Sequence, residues 1–239
     1  MSTLDEATAV ILAGGLGTRL RPVVADRPKV LAHVRGKPFL AYLLEQVASA
    51  GIRHCVLCVG YLGEQIRAAF GDSYAGMRLV YSQESMPLGT AGALRLALPL
   101  SQSDTVLAMN GDSFCDVNLS DLWAWHSRHN ANAALVLVET SNTTRYGRVS
   151  VAADGTIVGF DEKKDGEGLG WINAGVYILR HALLESIPTG RAVSLETDMF
   201  PAWIGQGLYG YRSTGRFLDI GTPESYMLVD QFFALKEVE

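Results

Sequence analysis

The chain has 239 residues, 48 % of them hydrophobic, and a formal net charge of −5. That length buries a large core as one domain, and the negative balance argues against a nucleic-acid backbone or an anionic membrane as partner. Any anionic ligand must therefore be held by a local cluster of cations. No apolar stretch reaches the roughly 20 residues of a membrane span. Asp5 and Glu6 precede the first apolar run, unlike a secretory leader. Three cysteines fit a reducing compartment, so the expected location is the cytoplasm.

Ala7 to Leu12 predicts a first strand, and the turn Gly14-Gly15-Leu16-Gly17-Thr18-Arg19 follows it directly. Without a Cβ, such glycines let backbone N–H groups approach phosphate oxygens closely. Arg19 and, after Pro28, Lys29 add full charge; Arg21 is the less specific arginine. Two familiar phosphate loops are excluded. The dinucleotide fingerprint that starts at Gly15 meets Leu20 where its sixth glycine belongs, and the sole Gly-Lys, Gly36-Lys37, is followed by Pro38.

Phe39, Leu40, Leu43, Leu44 and Val47 form a helical stripe that ends at Gly51. Cys55 to Val59 reads as a buried strand, which turns Cys55 and Cys58 to opposite faces and leaves Cys-x-x-Cys no shared metal. Glu64 to Phe70 predicts a helix, Arg78 to Tyr81 a strand, and Thr90 to Leu98 a helix after the Pro-Leu-Gly turn. Thr105 to Met109 is a strand that ends at Asn110-Gly111-Asp112. In open α/β sheets functional groups gather beyond the carboxyl ends of strands, which places Asp112 and the glycine turn at one crevice. His126 and His129 lie three apart on a helix and are expected on its solvated face.

Further strands are predicted over Ala133 to Glu139, Gly147 to Val151, Ile157 to Phe160, Ala174 to Leu179, Gly207 to Tyr211 and Arg216 to Leu218. Asp154-Gly155 signals a hairpin between two of them. Lys163 to Gly170 reads as a loop, and Glu224 to Lys236 as a closing helix. The alternation implies an α/β class: a Rossmann-like three-layer α/β/α arrangement with a mixed, mostly parallel sheet and a smaller β subregion. A single domain over 1–239 is expected, with a nucleotide half to about residue 115 and a sugar half beyond it; no hexapeptide repeat of a β-helix is present.

The run Leu12 to Leu20 with Pro28-Lys29 resembles the signature of the sugar-phosphate nucleotidyltransferases, and the likeness extends along almost the whole chain. Gly36 to Leu40, Gly71 to Tyr74 and Asp219 to Glu224 resemble more narrowly the D-glycero-α-D-manno-heptose 1-phosphate guanylyltransferases. The resemblance implies attack of a sugar 1-phosphate on the α-phosphate of a nucleoside triphosphate, with release of pyrophosphate. Two anions must meet, so neutralisation and alignment dominate and no side-chain nucleophile is required.

Arg19 would then hold the departing pyrophosphate, Lys29 the α-phosphate or the incoming one, and Asp112 a metal. Leu12, Gly14, Gly15, Gly17, Thr18, Arg19, Gly89 and Thr90 complete the nucleotide set. Glu84, in a segment that resembles the base-recognition stretch, would accept from N1–H and the 2-amino group of guanine, which favours GTP. Asp219 resembles the second metal carboxylate; two carboxylates and phosphates suit Mg²⁺. For the sugar phosphate, resemblance implies Gly147, Glu162, Lys163 (with Lys164 as the alternative inward-facing lysine), Asn173 and Glu196. The other readings are a mannose 1-phosphate guanylyltransferase, a uridylyltransferase and a non-catalytic nucleotide-sugar sensor. A homo-oligomer is left open.

Overall fold

The computed structural model describes residues 3–20, 22–24, 26–141, 143–161 and 168–234. In chain order the strands are β1 Thr8–Leu12, β2 His33–Val34, β3 Lys37–Pro38, β4 His54–Val59, β5 Ser73–Tyr74, β6 Met77–Gln83, β7 Thr105–Asn110, β8 Ser113–Cys115 and β9 Ala133–Thr140. Then come β10 Arg148–Val151, β11 Ile157–Asp161, β12 Gly170–Arg180, β13 Leu208–Ser213 and β14 Phe217–Asp219. The helices are α1 Phe39–Ser49, α2 Gly63–Phe70, α3 Gly89–Ala97, α4 Leu119–His129, α5 Thr143–Tyr146, α6 His181–Glu185, α7 Phe200–Ala202, α8 Pro223–Met227 and α9 Val229–Ala234.

One eight-stranded sheet, in the order β13-β9-β12-β7-β1-β4-β6-β5, runs through both halves of the chain. The β7-β1-β4-β6 block is parallel, as is β13 on β9, whereas β12 runs antiparallel to both β9 and β7. Its central strands are continuous apolar runs because helices cover both faces. On one face β1, β4 and β7 contribute Ala9, Ile11, Cys55, Leu57 and Met109 to a core shared with α1, α2, α4 and Phe233 of α9. On the other, Val10, Val56, Cys58 and Ala108 pack with α3, α6 and Phe200. The fold is thus the expected three-layer mixed α/β arrangement. Cys55 and Cys58 point to opposite faces, as a strand requires, and burial pushes the Cys55 thiol up to about 12.

Among the described residues three short antiparallel ribbons, β2-β3, β8-β14 and β10-β11, stand off the main sheet. β10 and β11 form the hairpin that Asp154-Gly155 signals, and its turn is tied to the sheet edge where Gly210 N–H donates to the Gly155 carbonyl at 2.9 Å. β8 and β14 pair with Ser113 opposite Asp219.

Three expectations change. The strand predicted at Ala174 starts earlier, at Gly170, and carries an irregularity between Asn173 and Tyr177. The closing helix is divided at Leu228, whose N–H bonds back to Ser225 in a tighter three-residue turn. His126 is buried at 4 % exposure on the apolar face of α4, with Trp123 beside it. Burial lowers its imidazole to about 4, and Arg180 adds to that shift. His129 is exposed and stacks on Trp125 at 4.0 Å. Among the described residues no helix is long and apolar enough to cross a membrane.

Candidate active site

A cleft of about 780 Å³ opens where β1, β4 and β7 end and where the chain leaves β6. Its lining includes Leu12, Gly14, Gly15, Arg19 and Lys29 from the first segment, and Glu84, Gly89 and Thr90 from the β6–α3 turn. Asp112, Asn173, Glu196 and Asp219 line it as well. Gly17, Thr18 and Gly147 fall outside that lining. Glu162, Lys163 and Lys164, with Arg21, lie outside the described residues.

The glycine turn owes its shape to local packing. Ala13 N–H donates to the Cys58 carbonyl at 2.8 Å, and Leu20, 1 % exposed, anchors the far end. Gly17 sits at φ +59°, and a Cβ there would stand 3.2 Å from the Lys29 Cβ. A side chain at that φ would be strained and tight against Lys29, which favours glycine here. Lys29 begins a short 3-10 turn after Pro28, and its ammonium donates to Asp112 Oδ2 in an ion pair. The lysine side chain is 13 % exposed and the aspartate 39 %. Arg19 reaches toward the second carboxylate: its guanidinium lies 4.0 Å from where a Cβ on Gly221 would stand.

The two aspartates are 107 residues apart in sequence, and the β8–β14 ribbon brings them together. Asp219 lies opposite Ser113, and Ile220 N–H donates to the Asp112 carbonyl at 2.8 Å. Asp219 Oδ1 accepts from Gly221 N–H at 2.8 Å, and Oδ2 accepts from the Tyr146 hydroxyl. No group of three or more metal-ligating side chains occurs among the described residues. A pair of carboxylates suits a hard cation whose remaining ligands come from phosphates and water.

Glu84 follows β6 and accepts from Leu88 N–H at 2.8 Å through Oε2. Its Oε1 lies 2.9 Å from where a Cβ on Gly14 would stand, so the carboxylate abuts the glycine turn. Burial raises its pKa above the carboxylate norm, and the Leu88 amide offsets part of that. The turn is stapled to the opposite wall: Val193 N–H donates to the Leu88 carbonyl at 2.8 Å, and Leu195 N–H to Thr90 Oγ1 at 2.8 Å. That staple places Glu196, in the wide helical turn Leu195–Met199, at the same cleft.

Asn173 Nδ2 donates to the buried Tyr177 hydroxyl at 2.9 Å and lies 3.5 Å from Glu196 Oε1; its Oδ1 accepts from Gly175 N–H at 2.9 Å. Beneath them Asn110 Oδ1 and Ser113 Oγ are buried without a hydrogen-bond partner among the described residues. Both residues line the cleft. Both side chains pack against Gly175, where a Cβ would stand 2.6 Å from Ser113 Oγ and 2.9 Å from Asn110 Nδ2. Ser113 and Gly175 also line the cleft and were not singled out from the sequence; Tyr146, which lines it too, entered there only as the neighbour of Gly147. Asn110 had one signal, its place at the end of a strand beside Asp112.

A model of the family described as Nucleotidyl transferase matches residues 8–235. The chain belongs to this family. Among similar proteins is the mannose-1-phosphate guanylyltransferase of Mycobacterium tuberculosis, 36 % identical over 226 residues. That match covers 93 % of this chain and 63 % of the relative, so the chain spans under two thirds of that protein. The D-glycero-alpha-D-manno-heptose 1-phosphate guanylyltransferase of Aneurinibacillus thermoaerophilus is also 36 % identical, over 219 residues, covering 91 % and 94 %. The solved structure of HddC from Yersinia pseudotuberculosis complexed with GMP-PN has a TM-score of 0.82 and 30 % identity, covering 95 % of this chain and 99 % of that one. In this nucleotidyl transferase, Lys29, Asp112 and Asp219 therefore meet at one cleft, and the glycine turn forms part of its lining.

Proposed function

We propose that the chain is a guanylyltransferase that condenses GTP with a sugar 1-phosphate, giving a GDP-sugar and pyrophosphate. The observation that carries this reading is the pairing of Lys29 with Asp112 beside Asp219 in the cleft that Arg19 and the glycine turn share. Arg19 and Lys29 share the cleft with Glu84, Asp112, Glu196 and Asp219, so the charge of two phosphates would be balanced only with a bound cation added to the two basic side chains. The guanylyl relatives support the choice of nucleotide. Glu84, anchored by Leu88 against Gly14, is the acceptor we assign to guanine N1–H and the 2-amino group.

In this reading Arg19 holds the β- and γ-phosphates, and Lys29 the α-phosphate. The sugar phosphate oxygen is the nucleophile, so the chain aligns it rather than supplying one. Asn173 and Glu196, 3.5 Å apart at the cleft, receive sugar hydroxyls. Lys163 and Glu162 are assigned to the sugar phosphate on resemblance. Asp112 and Asp219 would hold Mg²⁺, which when bound neutralises phosphate charge and supports in-line displacement. Buried free cysteines suit work in the cytoplasm.

We favour D-glycero-α-D-manno-heptose 1-phosphate over mannose 1-phosphate. Identity is equal to relatives of both names, so this choice rests on three motif resemblances. Of those, only Asp219 to Glu224 reaches the cleft, through Asp219 and Gly221. Pyrophosphate release decides it, measured with Mg²⁺ for GTP, ATP, CTP, UTP and dTTP against heptose, mannose and glucose 1-phosphates. Turnover confined to GTP with the heptose supports the full reading. Turnover with mannose 1-phosphate discards the sugar, and turnover with another base discards Glu84's role.

A further inference from the structure

Tyr177 on β12 has no exposed surface, yet its hydroxyl meets a side chain of the cleft: Asn173 Nδ2 donates to it at 2.9 Å. On a regular strand residues four apart stand roughly 13 Å from each other. The irregularity in β12 shortens that path. Asn173 pairs with Leu137 and Tyr177 with Leu135, so four steps along β12 match two along β9. Gly175, inside this bulge at φ +73°, supplies the left-handed residue of the turn. Its N–H donates to Asn173 Oδ1 at 2.9 Å. The Asn173 amide is therefore held at both ends. The Gly175 N–H decides which end is oxygen, since a flipped amide would set its NH2 against that donor, and the phenol accepts from the other end. The Tyr177 ring is anchored in turn, packed on Phe200 at 5.2 Å in the core beneath α3 and α6. Burial, with Glu196 adding to it, pushes the phenol's pKa up, so the group stays a neutral hydroxyl.

We propose that Tyr177 is a positioning residue for sugar recognition: its buried hydroxyl fixes the Asn173 amide, and with it the bulge, so that Asn173 meets a sugar hydroxyl in one orientation. The inference rests on the reading of Asn173 as a sugar contact. Having no exposed surface, Tyr177 acts through Asn173 rather than on the substrate. A neutral hydrogen bond of this kind is worth about two- to tenfold in an equilibrium constant.

The test follows pyrophosphate release by the full chain with Mg²⁺, GTP and D-glycero-α-D-manno-heptose 1-phosphate, with mannose 1-phosphate in parallel. Tyr177→Phe keeps the ring on Phe200 and removes only the hydroxyl. It should raise KM for the sugar phosphate about two- to tenfold and leave KM for GTP unchanged. A hydroxyl with a merely structural role would lower the melting temperature without splitting the two KM values. Asn173→Ala should raise the same KM, and adding Tyr177→Phe to it should raise it no further, because the effect runs through that amide.

If Tyr177→Phe keeps the parental sugar KM while Asn173→Ala does not, the positioning role is overturned and the sugar contact stands. An equal rise in both KM values overturns it too, as does a rise from Tyr177→Phe that persists in the Asn173→Ala background. If Asn173→Ala keeps the parental sugar KM, or the parent turns over neither sugar phosphate, the sugar reading falls and takes the inference with it. Should Tyr177→Phe not fold, proton exchange of the Asn173 side-chain amide in the parent decides, read by nuclear magnetic resonance. Bonded to a buried phenol, that amide should exchange more slowly than those of exposed asparagines, and an equal rate would overturn the role.

Discussion

Gly89 is where fold and cleft depend most directly on one missing side chain. It opens α3 at φ +72°, and a Cβ there would stand 2.5 Å from the Val193 carbonyl oxygen, 2.9 Å from its carbon and 3.1 Å from its nitrogen. The left-handed conformation alone costs an L residue roughly 1–2 kcal/mol. The clash is with backbone, which cannot swing aside, and overpacking of this kind adds about 1–3 kcal/mol. Gly89→Ala should thus lose about 2–5 kcal/mol, and at about 2–4 °C per kcal/mol for a chain of this size the melting point falls by roughly 10 °C. Gly51→Ala is the control: φ is +95° with nothing within 4 Å, so only the conformational cost applies.

Relief of the clash must move Val193, whose carbonyl accepts from Ala91 and Gly92 and whose N–H donates to Leu88. The walls that carry Glu84 and Glu196 would part, so turnover falls as well. Thermal unfolding by circular dichroism, with pyrophosphate release alongside, checks both. A melting point equal to that of Gly51→Ala would refute the packing argument, and full activity would refute the link to the cleft.

Asp112→Asn keeps an acceptor for Lys29 but not the charge. Turnover should fall by about 10²–10³ with the circular dichroism spectrum unchanged, and parental rates at saturating Mg²⁺ would remove Asp112 from the cation site. For Glu84, burial raises the folded pKa above its ordinary 4.5. The folded chain then binds more protons than the unfolded one just above that value, and stability declines as pH rises through the raised pKa. Glu84→Gln should accordingly melt higher at pH 7, lose that advantage toward pH 4.5, and lose its preference for GTP over ATP. A lower melting point at pH 7 would contradict it. His126 has the opposite sign: its folded pKa is about 4 against an ordinary 6.5, so the unfolded chain takes the proton first. Stability is lost as pH falls from 6.5 to 4, by at most about 3 kcal/mol. His126→Leu should flatten melting temperature against pH in that window; an unchanged slope would place the acid sensitivity elsewhere.

The main sheet was legible because its buried parallel strands are unbroken apolar runs, and the placement of Asp112 followed from strand ends alone. His126 was misplaced although the signal was present: Leu119, Leu122, Trp123 and His126 fall at i, i+3, i+4 and i+7, one face of a helix. The β8–β14 ribbon was not legible as such. Three residues pair with three across about a hundred, and no periodicity fixes a register that short. The contact of Tyr146 with Asp219 was invisible for the same reason, since it depends on that ribbon delivering Asp219.

On the proposed reading, the same pairing bears on how a chain of net charge −5 would accept two phosphates. Each carboxylate that would bind a cation is already met by a donor of the chain, Asp112 by the Lys29 ammonium and Asp219 by Tyr146 and Gly221. Lys29 at 13 % exposure would be costly to leave unpaired, so Asp112 stabilises it while the cleft holds no anion. An arriving phosphate offers Lys29 a second acceptor, and a cation offers Asp112 a second partner. Either exchange alone strands one charge, whereas both together leave every charge paired. Nucleotide and cation should for that reason enter with positive coupling, which by linkage is the same measured from either side.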